Sequence, residues 1–362
     1  MHIVIAGGGT GGHLFPGIAI AEEFIKRDPH SRVIFIGTKR GIEHRLLGSL
    51  GYELKEIDVE GLKGRGFKAL IKGMYAIPNS MWQSRCILKA FAPDVVIGVG
   101  GYASGPAVIV ACLMGIPTAI AEQNALAGNT NRILGAFVRK VFLTYEQSKN
   151  MFAAGKVLVT GNPVRAAFAA GLGPANRPKV RRRILIFGGS QGAAAINKTV
   201  VAMLPLLQKM KDKVSVVHQT GERDLAMAKQ AYKQYGIEAE VSPFIVDMVS
   251  AYAASDLIIC RAGATSLAEI TVAGKASILI PFPFAANDHQ TLNAKAMVEA
   301  GAAAMIQESE LTAEKLYSLV ENLLEDDHQL REMEVKSKKL GRPDAVARIV
   351  DVCLQLVQKN KH

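Results

Sequence analysis

Residues 2–13 read HIVIAGGGTGGH, and residues 183–193 read RILIFGGSQGA. In both stretches an apolar run leads into a glycine-rich turn and then into a helical pattern. This order is typical of the first βαβ unit of a nucleotide-binding domain, in which a helix N-terminus meets the ligand. Because it occurs once in each half of the 362-residue chain, it predicts two similar α/β domains.

Short apolar runs alternate with longer amphipathic segments along the whole chain. Continuous Val/Ile runs are typical of parallel strands buried on both faces, and this alternation predicts two doubly wound, Rossmann-like domains. The predicted strands are residues 3–6, 33–36, 95–99, 118–121, 141–143, 184–187, 214–217, 257–260 and 278–280. The predicted helices include residues 16–26, 106–114, 193–210, 265–273 and 288–300.

The domain boundary is expected in the Gly- and Pro-rich stretch 161–183. We assign residues 1–163 to an N-terminal domain and residues 164–343 to a C-terminal domain. A last helix, residues 344–358, follows Pro343 and could pack on either domain, including back on the first. Since ligands of such sheets bind beyond the carboxyl ends of the strands, we expect an inter-domain cleft that receives both glycine-rich turns.

Composition limits the class of protein. The net charge of +11 and the 49% hydrophobic content suit a soluble globular protein with an anionic partner. Cys86, Cys112, Cys260 and Cys353 lack metal-site spacing, so we predict a reducing compartment and no zinc. No apolar run reaches the roughly 18 residues of a spanning helix, and the N-terminus does not resemble a signal peptide. Any membrane contact is therefore expected to be peripheral.

The first glycine-rich turn matches G-x-G-x-x-G at Gly7, Gly9 and Gly12, which indicates a phosphate or another polar ligand. A dinucleotide enzyme would need an acidic residue about 20 positions further on. Residues 37–40 read GTKR instead, which argues against NAD and leaves NADP as an alternative. His13 is either a general base for a sugar hydroxyl or a packing residue at the helix start.

A second polar constellation is RAGATSLAE, residues 261–269. Backbone and hydroxyl groups at this strand-to-helix junction can donate hydrogen bonds to a pyrophosphate. Glu269 could accept two hydrogen bonds from a ribose diol, or it could simply be favoured by the helix dipole. Because no D-x-D pair occurs, we expect no metal at the diphosphate, which helix N-termini, hydroxyls and an arginine would bind instead. No cofactor is predicted.

Residues 61–93 contain no Asp or Glu and combine basic, apolar and aromatic side chains. This composition is typical of contact with an anionic membrane surface; the alternative is an amphipathic helix packed on its own domain. Nucleic-acid binding is not expected, since no such motif occurs. The predicted membrane contacts are Phe67, Lys68, Leu70, Ile71, Lys72, Met74, Tyr75, Trp82 and Arg85.

The motifs GGGTGGHLFP, GGYASGP, EQNALAGNTN, GNPVR, GGSQGA, RAGATSLAE and NDHQ occur in this order between residues 7 and 293. Together they resemble the MurG family of bacterial N-acetylglucosaminyltransferases. The resemblance implies the GT-B architecture, with UDP-GlcNAc as donor and lipid I, undecaprenyl-pyrophosphoryl-MurNAc-pentapeptide, as acceptor. It implies inverting transfer to the C4 hydroxyl of MurNAc, giving lipid II for peptidoglycan synthesis. It also implies a peripheral enzyme at the cytoplasmic face of the bacterial plasma membrane.

The resemblance also implies roles for individual residues. His13 would be the general base, Ser190 would contact the donor phosphates, Ile245 the uracil, Glu269 the ribose and Gln290 the sugar hydroxyls. The further donor contacts that it implies are Thr10, Gly11, Gly12, Asn124, Arg165, Ala264, Thr265, Ser266, Leu267 and Ala268. Residues 285–289, AANDH, depart from the family pattern.

Three alternative functions stay open at this point. One is a UDP-GlcNAc epimerase, which would bind the same donor on the same fold. The second is an NADP oxidoreductase, and the third is a non-enzymatic sugar-nucleotide-binding subunit.

Overall fold

A computed structural model describes residues 1–39, 43–59, 67–170, 181–189 and 192–360, without the side chains of 43, 45, 49, 67–75 and 286. The chain forms two compact units. Unit 1 comprises Met1–Ala166 and Pro343–His362, and unit 2 comprises Ala167–Arg342.

Within the described residues, unit 1 contains a seven-stranded sheet in the order β3-β2-β1-β4-β5-β6-β7, and each pair of neighbouring strands is parallel. Its strands are β1 (His2–Gly7), β2 (Arg32–Gly37), β3 (Glu53–Glu56), β4 (Val95–Gly100), β5 (Thr118–Glu122), β6 (Lys140–Leu143) and β7 (Val157–Val159). Its helices are α1 (Gly11–Arg27), α2 (Glu43–Ser49), α3 (Phe67–Phe91), α4 (Ser104–Leu113), α5 (Asn129–Phe137) and the C-terminal α14 (Ala345–Asn360).

Among the residues described for unit 2, six parallel strands form a sheet in the order β10-β9-β8-β11-β12-β13. They are β8 (Arg182–Phe187), β9 (Val214–Gln219), β10 (Ala239–Ser242), β11 (Leu257–Cys260), β12 (Ala276–Leu279) and β13 (Ala304–Met305). The remaining helices are α6 (Ala166–Ala169), α7 (Ala194–Leu207), α8 (Leu225–Tyr235), α9 (Met248–Ala254), α10 (Ala264–Ala273), α11 (His289–Glu299), α12 (Ala313–Glu325) and α13 (Asp327–Leu340). Short 3₁₀ helices span Glu146–Met151, Ala154–Lys156, Gln208–Met210, Ala286–Asp288 and Glu308–Glu310.

Successive residues of β1 supply two different cores, because neighbouring side chains on a strand point to opposite faces. Ile3 and Ile5 pack with side chains of α1 and α14. Val4 and Ala6 pack on the other face with side chains of α3 and α4. The predicted α/β class, with doubly wound parallel sheets, is confirmed.

The structure differs from the sequence prediction at the sheet edges and at one helix start. Four short strands, β3, β7, β10 and β13, were not predicted. Their residues are partly exposed, so they lack the long apolar runs of the central strands. The first helix begins at Gly11, five residues before the predicted start, and contains Pro16. Proline was expected to open this helix, but in its interior it removes only one backbone hydrogen bond, the one to Gly12.

A buried hydrogen-bond network in unit 2 joins β9 to α7 and α8. The His218 ring lies 3.1 Å from the Tyr232 hydroxyl through Nδ1 and 3.1 Å from Asn197 Oδ1 through Nε2. The Asn197 amide group donates to Thr220 O and to the Asp224 carboxylate. Because both amide hydrogens are used, Asn197 Oδ1 accepts from His218 Nε2–H, and a neutral ring can then accept from the Tyr232 hydroxyl through Nδ1. Burial lowers the pKa of His218 to about 4, against the opposing charge of Asp224.

We expect this network to make the protein less stable in mild acid. The pKa of His218 is about 6.5 in the unfolded chain and about 4 in the folded one. The unfolded state therefore binds more protons between these values. The contribution of the neutral, buried ring to the free energy of unfolding is fully present above pH 6.5. It is lost as the pH falls to about 4, and the loss is on the order of 3 kcal/mol. Urea unfolding between pH 7.5 and 4 measures this loss, and His218→Gln should remove it. An equally steep pH dependence in the variant would contradict the assignment.

Candidate functional site

Two glycine turns interlock at the carboxyl ends of β1 and β4 in unit 1. Gly8 N donates to Gly100 O at 3.3 Å. A Cβ atom on Gly7 would lie 2.4 Å from Gly100 O, and one on Gly101 would lie 2.4 Å from Gly8 O. All three of Gly7, Gly100 and Gly101 also have positive φ, which disfavours other residues. The two turns are therefore fixed against each other by backbone contact.

His13, the third residue of α1, lies against these two interlocked turns, next to Gly100. A Cβ atom on Gly100 would lie 2.6 Å from His13 Nδ1. The same ring nitrogen is 3.3 Å from Gln123 Oε1. Gln123 Nε2 donates to Val99 O and Ala121 O, at 3.1 and 3.2 Å. The imidazole is thus held between a glycine turn and a buried amide that the sequence analysis did not predict.

Asn124 is positioned by the carboxylate of Glu122, which is buried at the end of β5. This carboxylate accepts from Asn124 N at 3.0 Å, Gly128 N at 3.0 Å, Asn131 Nδ2 at 2.9 Å and Asn124 Nδ2 at 3.3 Å. The sequence analysis selected Asn124 and missed Glu122. The available signal was an acidic residue at the end of an apolar strand, where burial requires polar partners.

The other predicted site residues of unit 1 either form the start of α1 or pack against it. Thr10 is the exposed N-cap of this helix, and its side chain makes no capping hydrogen bond. Gly11 and Gly12 open the helix, and Gly12 is exposed. Arg165 lies in unit 1, where its guanidinium is 5.3 Å from the ring of Phe15. Arg165 is therefore packed on α1 through Phe15.

The turn between β8 and α7 is the counterpart in unit 2. A Cβ atom on Gly192 would lie 1.9 Å from Thr220 O, whereas one on Gly189 would meet nothing within 4 Å. The N-cap of α7 is Ala193, which has no side-chain group for capping. Ser190, predicted to contact phosphates, lies outside the described residues.

Gln219 joins this turn to the loop after β10. It is 3% exposed, and its Nε2 donates to Gly189 O at 2.8 Å. Its Oε1 accepts from Ile245 N, also at 2.8 Å. One buried amide thus holds together the predicted phosphate turn and the predicted uracil contact. The sequence analysis missed Gln219 because only the fold brings its partners together.

Helix α10 begins after Gly263, an N-cap without a side chain. Glu269 is the sixth residue of this helix and is 6% exposed. The helix dipole acts mainly within the first turn, so it does not explain this carboxylate. Leu267 is 1% exposed, so its side chain lies in the core and points away from any ligand. The other predicted contacts on this helix are Ala264, which is buried, and Thr265, Ser266 and Ala268, which are half-buried.

Arg261 supports the loop after β12. Its Nη1 donates to Ile280 O at 3.2 Å and Pro281 O at 3.1 Å. Its Nη2 pairs with Glu308, and the guanidinium lies 5.3 Å from the Phe282 ring. Because these groups engage the arginine within the protein, its role in this structure is to hold the loop.

The same loop contacts Gln290, the second residue of α11, whose Oε1 accepts from Phe282 N at 3.0 Å. Asn287 and Asp288 both adopt left-handed backbone conformations, with φ of 54° and 52°. This region is uncommon outside glycine, although Asn and Asp tolerate it best. Thr291 Oγ1 donates to Asp288 at 2.6 Å, so Asp288 stabilises the start of α11.

The predicted membrane contacts lie on α3. Trp82 is 65% exposed and Arg85 is exposed. The predicted contacts between 67 and 75, which are Phe67, Lys68, Leu70, Ile71, Lys72, Met74 and Tyr75, fall on helical backbone, and their side chains lie outside the described residues.

Across the part of the chain that the structure describes, no cluster of three or more His, Cys, Asp or Glu side chains is arranged to hold a metal ion. No helix within that part is both long and apolar enough to cross a membrane.

Comparison with known proteins agrees with this architecture. Residues 3–143 match the glycosyltransferase family 28 N-terminal domain, and residues 183–349 match its C-terminal domain. These matches and the two parallel sheets define a GT-B glycosyltransferase.

Within this class the relatives are more specific. The chain is 53% identical to the UDP-N-acetylglucosamine–N-acetylmuramyl-(pentapeptide) pyrophosphoryl-undecaprenol N-acetylglucosamine transferase of Syntrophus aciditrophicus, over 99% of both chains. The crystal structure of Acinetobacter baumannii MurG matches with a TM-score of 0.78 and 33% identity, over 98% of this chain and 99% of that one. The chain belongs to the MurG family of glycosyltransferase family 28, which confirms the family predicted from the motifs.

The epimerase alternative is not favoured. The UDP-GlcNAc 2-epimerase of Neisseria meningitidis, solved with UDP-GlcNAc bound, matches with a TM-score of 0.70 over 98% of this chain and 100% of that one. Its identity is only 16%, so this likeness shows the fold alone.

We expect Gln219→Met to weaken binding of UDP about ten-fold, because the variant loses both hydrogen bonds that join the Gly189 turn to Ile245. Isothermal titration calorimetry with UDP measures the effect. Gln230→Met, an exposed position on α8, is the matched control and should bind UDP normally. Wild-type affinity in a folded Gln219→Met protein would exclude this role.

Proposed function

We propose that the protein transfers N-acetylglucosamine from UDP-GlcNAc to the C4 hydroxyl of MurNAc in lipid I, with inversion at the anomeric carbon. The product would be lipid II, for peptidoglycan synthesis. The observation that carries the proposal is the 53% identity, over 99% of both chains, to a transferase whose name gives this acceptor and this sugar.

Donor binding is assigned mainly to unit 2. Helices α7 and α10 follow the N-cap residues Ala193 and Gly263, neither of which supplies a side-chain cap. Backbone N–H groups and the positive end of a helix dipole suit a diphosphate at such positions. The buried carboxylate of Glu269 suits two ribose hydroxyls, which can both donate to it. In this proposal Ile245 contacts the uracil and Gln290 binds the hydroxyls of the sugar.

Acceptor activation is assigned to His13 of unit 1. The imidazole would take the proton from the C4 hydroxyl as this oxygen attacks the anomeric carbon, which contributes roughly 10²–10⁴ in rate. The leaving UDP gains negative charge in the same step. Preorganised N–H groups at the helix starts of unit 2 would stabilise this charge.

Binding to a membrane surface is also part of the proposal, because the acceptor carries an undecaprenyl chain. The protein has a net charge of +11. Helix α3 exposes Trp82 at 65% and Arg85 beside it, a combination typical of interfacial contact. We propose peripheral attachment to anionic lipid at the cytoplasmic face of the plasma membrane.

The catalytic assignment is tested by transfer of labelled GlcNAc to a soluble lipid I analogue. We expect His13→Ala to lower kcat by 10²–10⁴, with the Kd for UDP-GlcNAc changed less than two-fold, since a general base acts mainly in the transition state. The control is His44→Ala, since His44 is exposed and contacts Glu56; its kcat should equal the wild-type value. Unchanged kcat in His13→Ala would remove this residue from the chemistry.

The membrane assignment is tested with vesicles that contain phosphatidylserine. We expect the double variant Arg85→Glu/Lys89→Glu to bind at least ten-fold more weakly at low salt, because each basic residue contributes about 1 kcal/mol near an anionic surface. Lys229→Glu/Lys233→Glu makes the same change of charge on α8 and serves as the control. Equal loss in both variants would show that net charge alone, and not α3, determines binding.

A further inference from the structure

The orientation of the Gln123 amide is fixed by its surroundings. Gln123 is 2% exposed and follows directly on β5. Its Nε2 lies 3.1 Å from Val99 O and 3.2 Å from Ala121 O. Both partners are backbone carbonyls, which only accept hydrogen bonds, so both amide hydrogens must point toward them. The opposite orientation would place three oxygen atoms against one another in a buried site.

This orientation determines the tautomer of His13. With its NH₂ group on the two carbonyls, Gln123 presents Oε1 to His13 Nδ1 at 3.3 Å. An amide oxygen only accepts hydrogen bonds, so Nδ1 must carry the N–H hydrogen of the neutral imidazole. In the neutral imidazole the basic lone pair is then on Nε2.

The carboxylate of the preceding residue, Glu122, is engaged by other groups. Glu122 accepts hydrogen bonds from Asn124, Gly128 and Asn131, which hold it within its own loop. The group that faces His13 Nδ1 is the neutral amide of Gln123.

We propose that Gln123 is a positioning residue that fixes His13 as the Nδ1–H tautomer and so makes Nε2 the atom that receives the acceptor's proton. The reaction role of Nε2 depends on the proposed transferase function, whereas the tautomer does not. In the transfer step the C4 hydroxyl proton moves to Nε2, the C4 oxygen bonds to the anomeric carbon, and the bond from that carbon to the UDP oxygen breaks. His13 then holds both ring protons until it releases one to water.

The inference is tested first by long-range ¹H–¹⁵N correlation spectra of the full-length protein with ¹⁵N-labelled histidine, recorded at pH 8. The chain has eight histidines, so the His13 signals are assigned as those absent from His13→Asn. We expect a protonated Nδ1 and an unprotonated Nε2 in the wild type. A wild-type Nε2–H tautomer would overturn the proposal without any variant and without any assay.

Gln123→Met provides the second test, because methionine has a similar length but its thioether sulfur is only a weak acceptor for Nδ1–H. We expect the Nε2–H tautomer to appear and kcat to fall about ten-fold, with KM for UDP-GlcNAc within two-fold of wild type, because the wrong tautomer removes the base but not the donor site. Gln219→Met, which also replaces a buried amide with two partners, should leave the His13 spectrum unchanged. A fall in kcat without a change of tautomer would indicate a merely structural role and would overturn the inference.

The two proposals fail in different ways. A wild-type protein with the predicted tautomer but no transfer to lipid I would reject the transferase function. A wild-type protein that transfers GlcNAc but has the Nε2–H tautomer would reject only the role of Gln123.

Discussion

The close approach of one backbone turn to another is the constraint on which both candidate sites depend. In unit 1, a Cβ atom on Gly7 would lie only 2.4 Å from Gly100 O. In unit 2, Thr220 O lies 1.9 Å from the Cβ position of Gly192. Contacts this short exclude every side chain, so glycine is required by packing and not only by backbone conformation. The turns can therefore bring backbone N–H groups and helix starts close to a ligand.

Buried amide side chains hold these turns in place. Gln123 joins the ends of β4 and β5 to the His13 ring, and Gln219 joins the β8–α7 turn to the loop after β10. An amide can donate and accept at once, so it links strands without the desolvation cost of a buried charge. The same principle sets the ring of His218 through Asn197, but there the imidazole is fully buried and neutral. Two histidines with similar partners thus differ in environment, since His13 is only partly buried against a glycine turn whereas His218 is fully buried.

Helix starts differ in whether a side chain caps them. Thr312 and Asp326 cap α12 and α13 with their side chains, which contributes about 1 kcal/mol each. Helices α7 and α10 begin after Ala193 and Gly263 without such caps. Helices α4 and α5 of unit 1 also begin without a side-chain cap, so a missing cap does not by itself mark a binding site.

The central strands, the repeated strand–turn–helix pattern and the family could be predicted from the sequence alone. Val/Ile runs, glycine spacing and motif order are local properties, and they determine which segments form parallel strands and where the turns lie. The short edge strands, the start of α1 and the partners of individual side chains could not be predicted. Gln123 and Gln219 acquire their roles only when segments distant in the chain align, because they contact groups from other strands and loops. Glu122 contacts residues within ten positions of it, but its burial is decided by the packing of the sheet. Sequence thus specified the turns and the identity of the histidine, and tertiary packing decided which group faces Nδ1 of its ring.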